Sequence, residues 1–514
     1  MNKLKMACLT AAIASSSVSF AGGLLTNTNQ NVAFNRMMSR EASIGIDGVY
    51  YNPAGVVFLG EGHHLSLNWQ LAYQTRIIKN GYELFKNNVN NPITPREFKG
   101  EAFAPVIPSL QYAYNKGRWS FQANLALTGG GGKCTFDNGL GSFEKIVGET
   151  AMGAWGLAKS LDGALGANMF ATDAAFGSEP GKYSYNSYMH GRQYYYGLSL
   201  GAAYKFSDNF SAFAGVRGIY ASTNYYGYVE DIKVGNMPLY KVLDPTKETA
   251  ANIELSCDQS GVGFTPIIGV DFKTGKWNFA AKYEFKTRIR LKNKSVNQVP
   301  SIGNLPDNLR NAYIAGGVPE QAADAILNNA TIQGAMGQLK TQFDTKLDKA
   351  IGEYADGKKI AGDIPAYLAL GVGYSPVNAV RVNVGFHWFD DKHATSYNNR
   401  QEKLNRGTLE YNAGVEVDVN KKITLSTGWQ NTNYGLSDEY MDDKSFVVGS
   451  NSAAVGGVYH INKKMDLNVA YFHTFYQHKK TSENVQLSAD KSINYTSDYT
   501  RNNNVFAVGL DINF

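Results

Sequence analysis

Apolar and polar residues alternate with a period of two from Leu65 to the end of the chain. At the C-terminus Phe506, Val508, Leu510, Ile512 and Phe514 alternate with Ala507, Gly509, Asp511 and Asn513. Trp277, Phe279, Ala281, Tyr283 and Phe285 share one face opposite Asn278, Ala280, Lys282, Glu284 and Lys286. Leu409, Tyr411, Ala413, Val415 and Val417 do the same against Glu410, Asn412, Gly414, Glu416 and Asp418. The pattern predicts strands with two unlike faces. In a soluble sandwich the apolar face is the core, whereas in a membrane barrel it meets lipid and the polar face lines the lumen. The period alone leaves both open.

Loop lengths separate them. About fourteen such segments begin near Leu65, Ile107, Gly117, Gln193, Asn209, Phe264, Lys276, Ala366, Ala379, Thr408, Lys421, Ser452, Lys464 and Asn503. Alternate connections are tight, as at Asn115-Lys116-Gly117, Ser207-Asp208-Asn209, Thr274-Gly275-Lys276, Ser375 to Asn378, Asn420-Lys421-Lys422 and Asn462-Lys463-Lys464. The others are long, and Leu291 to Pro365 is the longest. A sandwich has no reason to sort its loops this way. The sorting predicts an all-β fold, a transmembrane antiparallel barrel of about fourteen strands with both chain ends on the short-turn side. On the lipid-facing phase Tyr112, Tyr114, Trp119, Tyr204, Phe206, Trp277, Tyr374 and Tyr459 fall beside short turns, and Trp388 and Trp429 near long loops, as two interfacial girdles require.

Composition narrows the class further. With 43% hydrophobic and 12% aromatic residues the chain is no disordered polymer, and a formal charge of +5 offers no footprint for nucleic acid. After the first two dozen positions no apolar run is long enough for a membrane helix. Lys3 and Lys5, the apolar stretch Met6 to Val18 and Ser19-Phe20-Ala21 read as a secretory signal peptide over residues 1–21. Only Cys134 and Cys257 then remain, both placed in long loops on the oxidising side, where they form a possible disulfide.

The segment before the first strand carries Asn31-Val32-Ala33-Phe34-Asn35, then Ala42-Ser43-Ile44-Gly45-Ile46-Asp47, then Tyr51-Asn52-Pro53-Ala54-Gly55. It resembles the N-terminal hatch of the FadL family of outer-membrane transporters for long-chain fatty acids and other hydrophobic compounds, with Asn52, Pro53 and Ala54 as the hatch turn. The resemblance implies a hatch over 22–62 plugging a barrel over 63–514 in the bacterial outer membrane. It implies extracellular loops at about 129–192, 225–260 and 291–365, carrying a ligand groove above a tighter inner pocket. It further implies passive uptake with exit through a lateral opening at the third strand; in this sequence that strand runs into Gly129, Gly130, Gly131 and Gly132, which either relax its pairing as a lateral gate or form a flexible start to the loop that follows. The expected partners are a long-chain fatty acid or other hydrophobic small molecule, outer-membrane lipid and the barrel-assembly machinery. A monomer without cofactor is expected.

Within the longest loop, Ala322, Ala323, Ile326 and Leu327, then Ile332, Met336, Leu339, Phe343, Leu347 and Ile351, recur at helical steps. Met336, Leu339, Phe343 and Leu347 are the candidate loop groove, the alternative being helices that pack on one another as a cap. A fatty acid has a tail worth ~0.8 kcal/mol per buried methylene and a carboxylate that needs a cation. Strand phasing turns Arg76, Arg217, Lys282, Lys286, Arg288 and Arg381 to the lumen. Arg217 is the first choice for the ligand carboxylate, with Lys282 and Lys286 behind it; Arg381 is assigned to a pair with Glu416 and Asp418. Enzyme motifs fail on context: Gly197-Leu198-Ser199-Leu200-Gly201 lies inside a strand, and Lys359 stands where a phosphate loop needs Ser or Thr. His63-His64 lacks a third ligand at metal-site spacing. A diffusion porin and a barrel enzyme are the rival readings.

Overall fold

Fourteen antiparallel strands close on themselves: β1 (Gly62–Gly81), β2 (Arg96–Lys116), β3 (Trp119–Phe136), β4 (Tyr183–Lys205), β5 (Phe210–Val234), β6 (Ile253–Thr274), β7 (Trp277–Glu284), β8 (Tyr367–Val377), β9 (Val380–Phe389), β10 (Arg406–Asn420), β11 (Ile423–Gly435), β12 (Ser450–Asn462), β13 (Met465–Tyr476) and β14 (Lys491–Asn513). The structure is a computed structural model describing residues 25–514, apart from 27–28, 167, 316, 331, 335, 338–339, 342–350 and 489–490. The expected signal peptide and three of the groove residues, Leu339, Phe343 and Leu347, lie outside the described residues.

Each strand pairs with its sequence neighbours, and the seam between β1 and β14 runs from His64↔Asn513 to Gly81↔Thr496. Closure gives every strand a neighbour on both sides, so the sheet has no free edge strand. The faces are inverted relative to a soluble protein. Leu67, Phe121, Leu198, Phe264, Val384 and Leu425 are exposed outside, while Ser66, Gln111, Asn124, Ser211 and Gln430 are buried inside. Trp119, Phe206, Trp277 and Tyr459 stand exposed beside the short turns and Trp429 towards the other rim. The molecule is thus a transmembrane β-barrel of the bacterial outer-membrane type.

All fourteen expected strands are present, with the expected short turns. Several are longer than their alternation indicates. β2 begins at Arg96 instead of Ile107, β4 at Tyr183 instead of Gln193, and β14 at Lys491 instead of Asn503. These extensions rise beyond the lipid, where an outward face has no need to be apolar, and Tyr188, His190 and Arg192 blur the period. The segment expected as a loop over 129–192 is therefore strand at both ends, and Gly129 to Gly132 lie within β3.

The connection from β3 to β4 holds a helix, α3 (Gly141–Leu165), where a long loop without helix is expected. Phe143, Val147, Ala151, Ala154, Ala158 and Leu161 recur along it at steps of three and four, the signal that identifies it. They pack with the helices Leu305–Ala315 and Glu320–Leu327 as a cap over the long-loop end. Its first turn is pinned to the strands below. The Asp443 carboxylate accepts from the Ser142 N–H at 2.8 Å and the Tyr499 hydroxyl at 2.9 Å. Burial pushes the Glu144 carboxyl above its ordinary range, opposed by the Arg96 guanidinium at 2.6 Å.

The possible disulfide is corrected. Cys134 pairs across the sheet with Gly191, Gly191 with Tyr225, and Tyr225 with Cys257. Three strand spacings of ~4.8 Å separate the sulfurs' backbones by about 14 Å, twice what a disulfide spans. Both cysteines are free and buried. Thiol labelling of the mature protein, denatured without reductant, should find two free thiols.

Candidate functional site

The lumen is filled from below by the hatch. Its first helix, α1 (Val32–Met37), starts at Asn31, whose side chain accepts from the Ala33 N–H at 2.7 Å while its amide donates to Ser66 and Gln111 of the wall. Glycines on the wall let this backbone approach: a Cβ at Gly414 or Gly428 would collide with the Met37 carbonyl. A second short helix, α2 (Gly48–Tyr51), leads into the Asn52-Pro53-Ala54 turn. That turn is bolted to three strands. The Asn52 amide donates to Asp271 at 2.6 Å, Gln122 donates to the Pro53 carbonyl at 2.7 Å, and Ser211 donates to the Ala54 carbonyl at 2.7 Å.

The buried arginines and the histidine at the hatch are matched by carboxylates. Arg36 meets Glu416, Arg40 meets Asp47 at 2.7 Å, and His387 lies between Glu41 at 2.7 Å and Glu410 at 2.9 Å. Arg381 pairs with Glu416 and Asp418, as expected. The three candidate ligand cations are committed elsewhere. Arg217 forms a fork on Glu284 at 2.6 and 3.0 Å, and Lys282 reaches Glu284 at 2.9 Å and the Tyr50 carbonyl at 2.7 Å. Lys286 lies past the end of β7 and donates to the His393 carbonyl at 3.0 Å, outside the phase that would turn it inward. No shared carboxylate site is formed by these three. Deleting residues 22–43 should raise the single-channel conductance of the folded protein in planar bilayers, because it empties the lumen that Arg36, Arg40 and Glu41 help to fill.

Above the hatch lies a cavity of about 190 Å³. Its floor is Thr26, Asn29 and Gln30, and its wall mixes apolar residues such as Phe472 and Val505 with two arginines, Arg76 and Arg501. These arginines are register partners on β1 and β14. Like charges set directly opposite destabilise a sheet, yet among the described residues neither has a carboxylate within ion-pairing distance. Arg76 donates to Gln74 at 3.2 Å. Arg501 donates to the Phe446 carbonyl and lies over the Phe446 ring, and its Nε is buried with no hydrogen-bond partner.

The same cavity reaches Gly129, Gly130 and Gly132. Here the wall is broken. The β2–β3 ladder runs from Lys116↔Trp119 to Ser109↔Ala126, then resumes only at Ala102↔Cys134. Both strands contribute to the break: Pro105 and Pro108 of β2 have no N–H to give, and Gly130 and Gly132 of β3 take positive φ of 87° and 60°. The hatch spans the lower edge of the break through Gln30, whose amide donates to the Leu127 carbonyl at 2.6 Å while its own carbonyl accepts from Ser109 at 2.6 Å and Gln111 at 2.8 Å.

A second cavity, of about 80 Å³ and almost wholly apolar, lies in the cap between α3, Leu239 to Ile253 and Pro300 to Leu309. The sequence reading locates a groove further along the chain. Met336, the one candidate groove residue described, is buried in the cap core but does not line this cavity.

No protein-family model and no curated protein sequence matches the chain. Solved structures do. A Pseudomonas aeruginosa FadL homologue superposes with a TM-score of 0.60 at 14% identity, covering 96% of this chain and 100% of its own. A mutant of the TodX monoaromatic hydrocarbon channel gives 0.52 at 15% identity over 95% and 100%, and the Pseudomonas putida toluene transporter TodX gives 0.50 at 14% over 96% and 100%. Identities this low speak to architecture, and the chain accordingly has a FadL-type barrel fold.

Proposed function

We propose that the protein is an outer-membrane channel for passive uptake of hydrophobic molecules, a transporter and not an enzyme, and that its ligand is a long-chain fatty acid or a similar anionic amphiphile. The observation that carries this reading is the cavity above the hatch, which joins unpaired cations, apolar wall and a break in the barrel in one space. An acyl tail gains ~0.8 kcal/mol per methylene against the apolar wall, and Arg76 and Arg501 offer its carboxylate the charge-assisted bonds they lack in the protein. Ligand descends from the apolar cavity of the cap, occupies the lumen above the hatch, and leaves sideways between β2 and β3 into the bilayer. Lateral exit keeps the tail out of water, whereas a path through the hatch would cross buried ion pairs.

Proteoliposomes test the reading. Labelled oleate should enter the membrane of protein-containing liposomes faster than that of empty ones, while sucrose stays excluded. Sucrose permeation would make the protein a diffusion porin, and oleate entry no faster than in empty liposomes would remove the proposal.

A further inference from the structure

The outer wall carries a second facing pair of cations. Lys133 of β3 and Arg192 of β4 are register partners, at the upper end of the break. On β4 the residues Gln193 and Tyr195 are buried in the lumen, while Tyr196, Leu198 and Leu200 are exposed, so Arg192 and its partner point outward. Lys133 is exposed. Among the described residues no carboxylate lies within ion-pairing distance of either. The nearest outward acids in register on the flanking strands are engaged elsewhere, Glu101 of β2 with Lys99 at 2.6 Å and Asp258 of β6 with Asn224 at 2.8 Å. The Arg192 guanidinium lies 5.7 Å from the centre of the Tyr194 ring, and its Nε is buried with no hydrogen-bond partner.

Height identifies what this pair meets. Tyr204 belongs to the short-turn girdle, and the strand from there to Arg192 climbs about 30 Å along the membrane normal, at ~3.4 Å per residue and a tilt of roughly 40°. The apolar band of such barrels is ~25 Å tall. Arg192 and Lys133 therefore stand just beyond its outer edge, which Tyr194, Tyr196 and Tyr220 mark, at the level of lipid headgroups. Below them Leu125, Leu198 and Leu200 present an aliphatic wall for acyl chains.

We propose that Lys133 and Arg192 bind the phosphate of an outer-leaflet lipid, which is thereby held at the outer lip of the break. A phosphate monoester carries about −1.5 to −2 charges, enough to relieve both cations, and presents oxygens to the forked guanidinium. A single carboxylate would leave one of the two opposed charges uncompensated. The inference needs only the barrel and its membrane level, and it stands apart from the uptake reading.

Native mass spectrometry in a neutral detergent, with added dioleoyl phosphatidic acid, dioleoyl phosphatidylcholine or oleate, tests it. Phosphatidic acid should bind more tightly than phosphatidylcholine. The double variant Lys133→Gln, Arg192→Gln should weaken phosphatidic acid binding by about tenfold to thirtyfold and leave oleate binding unchanged. Lys422→Gln, on a short turn at the opposite rim, should change neither. Equal phosphatidic acid affinity in the double variant and the parent overturns the proposal, as does an equal loss in Lys422→Gln. A loss confined to oleate also overturns it and gives the site to the carboxylate of the transported ligand.

Discussion

Oxidation of a protein carrying Ala104→Cys and Gly132→Cys, in a background with Cys134→Ser and Cys257→Ser, is expected to stop hydrophobic uptake, and reduction to restore it. A Cβ built on Gly132 stands 3.5 Å from the Ala104 Cβ across the break, at the lower end of the ~3.5–4.5 Å range that a disulfide requires. The bond would tie β2 to β3 where their ladder is interrupted. Gly132 has a φ of 60°, so a cysteine there costs about 1–2 kcal/mol of strain. That strain is common to the oxidised and reduced forms, and the comparison between them isolates closure. Uptake should fall on oxidation towards the rate of a membrane without the protein, since every ligand must pass the closed step, while ligand binding in the lumen persists. Undiminished uptake in fully oxidised, membrane-inserted protein would place the exit elsewhere.

The second large effect concerns the headgroup. Arg76→Gln combined with Arg501→Gln should weaken oleate binding by about tenfold to a hundredfold for each arginine, since a hydrogen bond to a charged group is worth about 1.5–3 kcal/mol. Dodecanol, which has the same kind of tail without the carboxylate, should bind as before. Stability gives an independent sign. Removing one of two facing like charges relieves about 0.2–1 kcal/mol of repulsion, so thermal unfolding should stay level or rise. Arg217→Gln should do the opposite, because it takes the forked partner from buried Glu284 and leaves it Lys282 alone, at a cost of about 1.5–3 kcal/mol. A parallel loss of oleate and dodecanol binding would mean that the pair shapes the cavity and does not read the headgroup.

Strand number, short turns and the outward phase are legible in the sequence because each depends on residues close together in the chain. The break is half legible. The glycine run in β3 is plain, but Pro105 falls outside a β2 expected to start near Ile107, and Pro108, one residue past that start, reads as a strand beginning and not as a break within one. The same foreshortening hides Arg501, since β14 is expected to start near Asn503, so Arg76 is found without its partner. Arg217 misleads for a different reason. Its carboxylate, Glu284, lies two strands away on β7, and only the register of β5 on β6 and β6 on β7 brings them together. Helix α3 has a clear amphipathic spacing, but it sits in a connection whose ends are strand and whose middle reads as loop.

The hatch touches the wall on every side. Asn31 bonds to β1 and β2, Gln122 and Ser211 of β3 and β5 bond to the turn at Pro53 and Ala54, and Arg36 reaches Glu416 of β10 and Asn468 of β13. The seam that completes this enclosure joins the first strand to the last, between residues more than four hundred positions apart. Each of the hatch contacts ties a different strand to the same inner segment, so the strands are joined to one another through the lumen as well as around the wall. The plug is in this sense an internal brace, and loosening it should soften the cylinder as a whole.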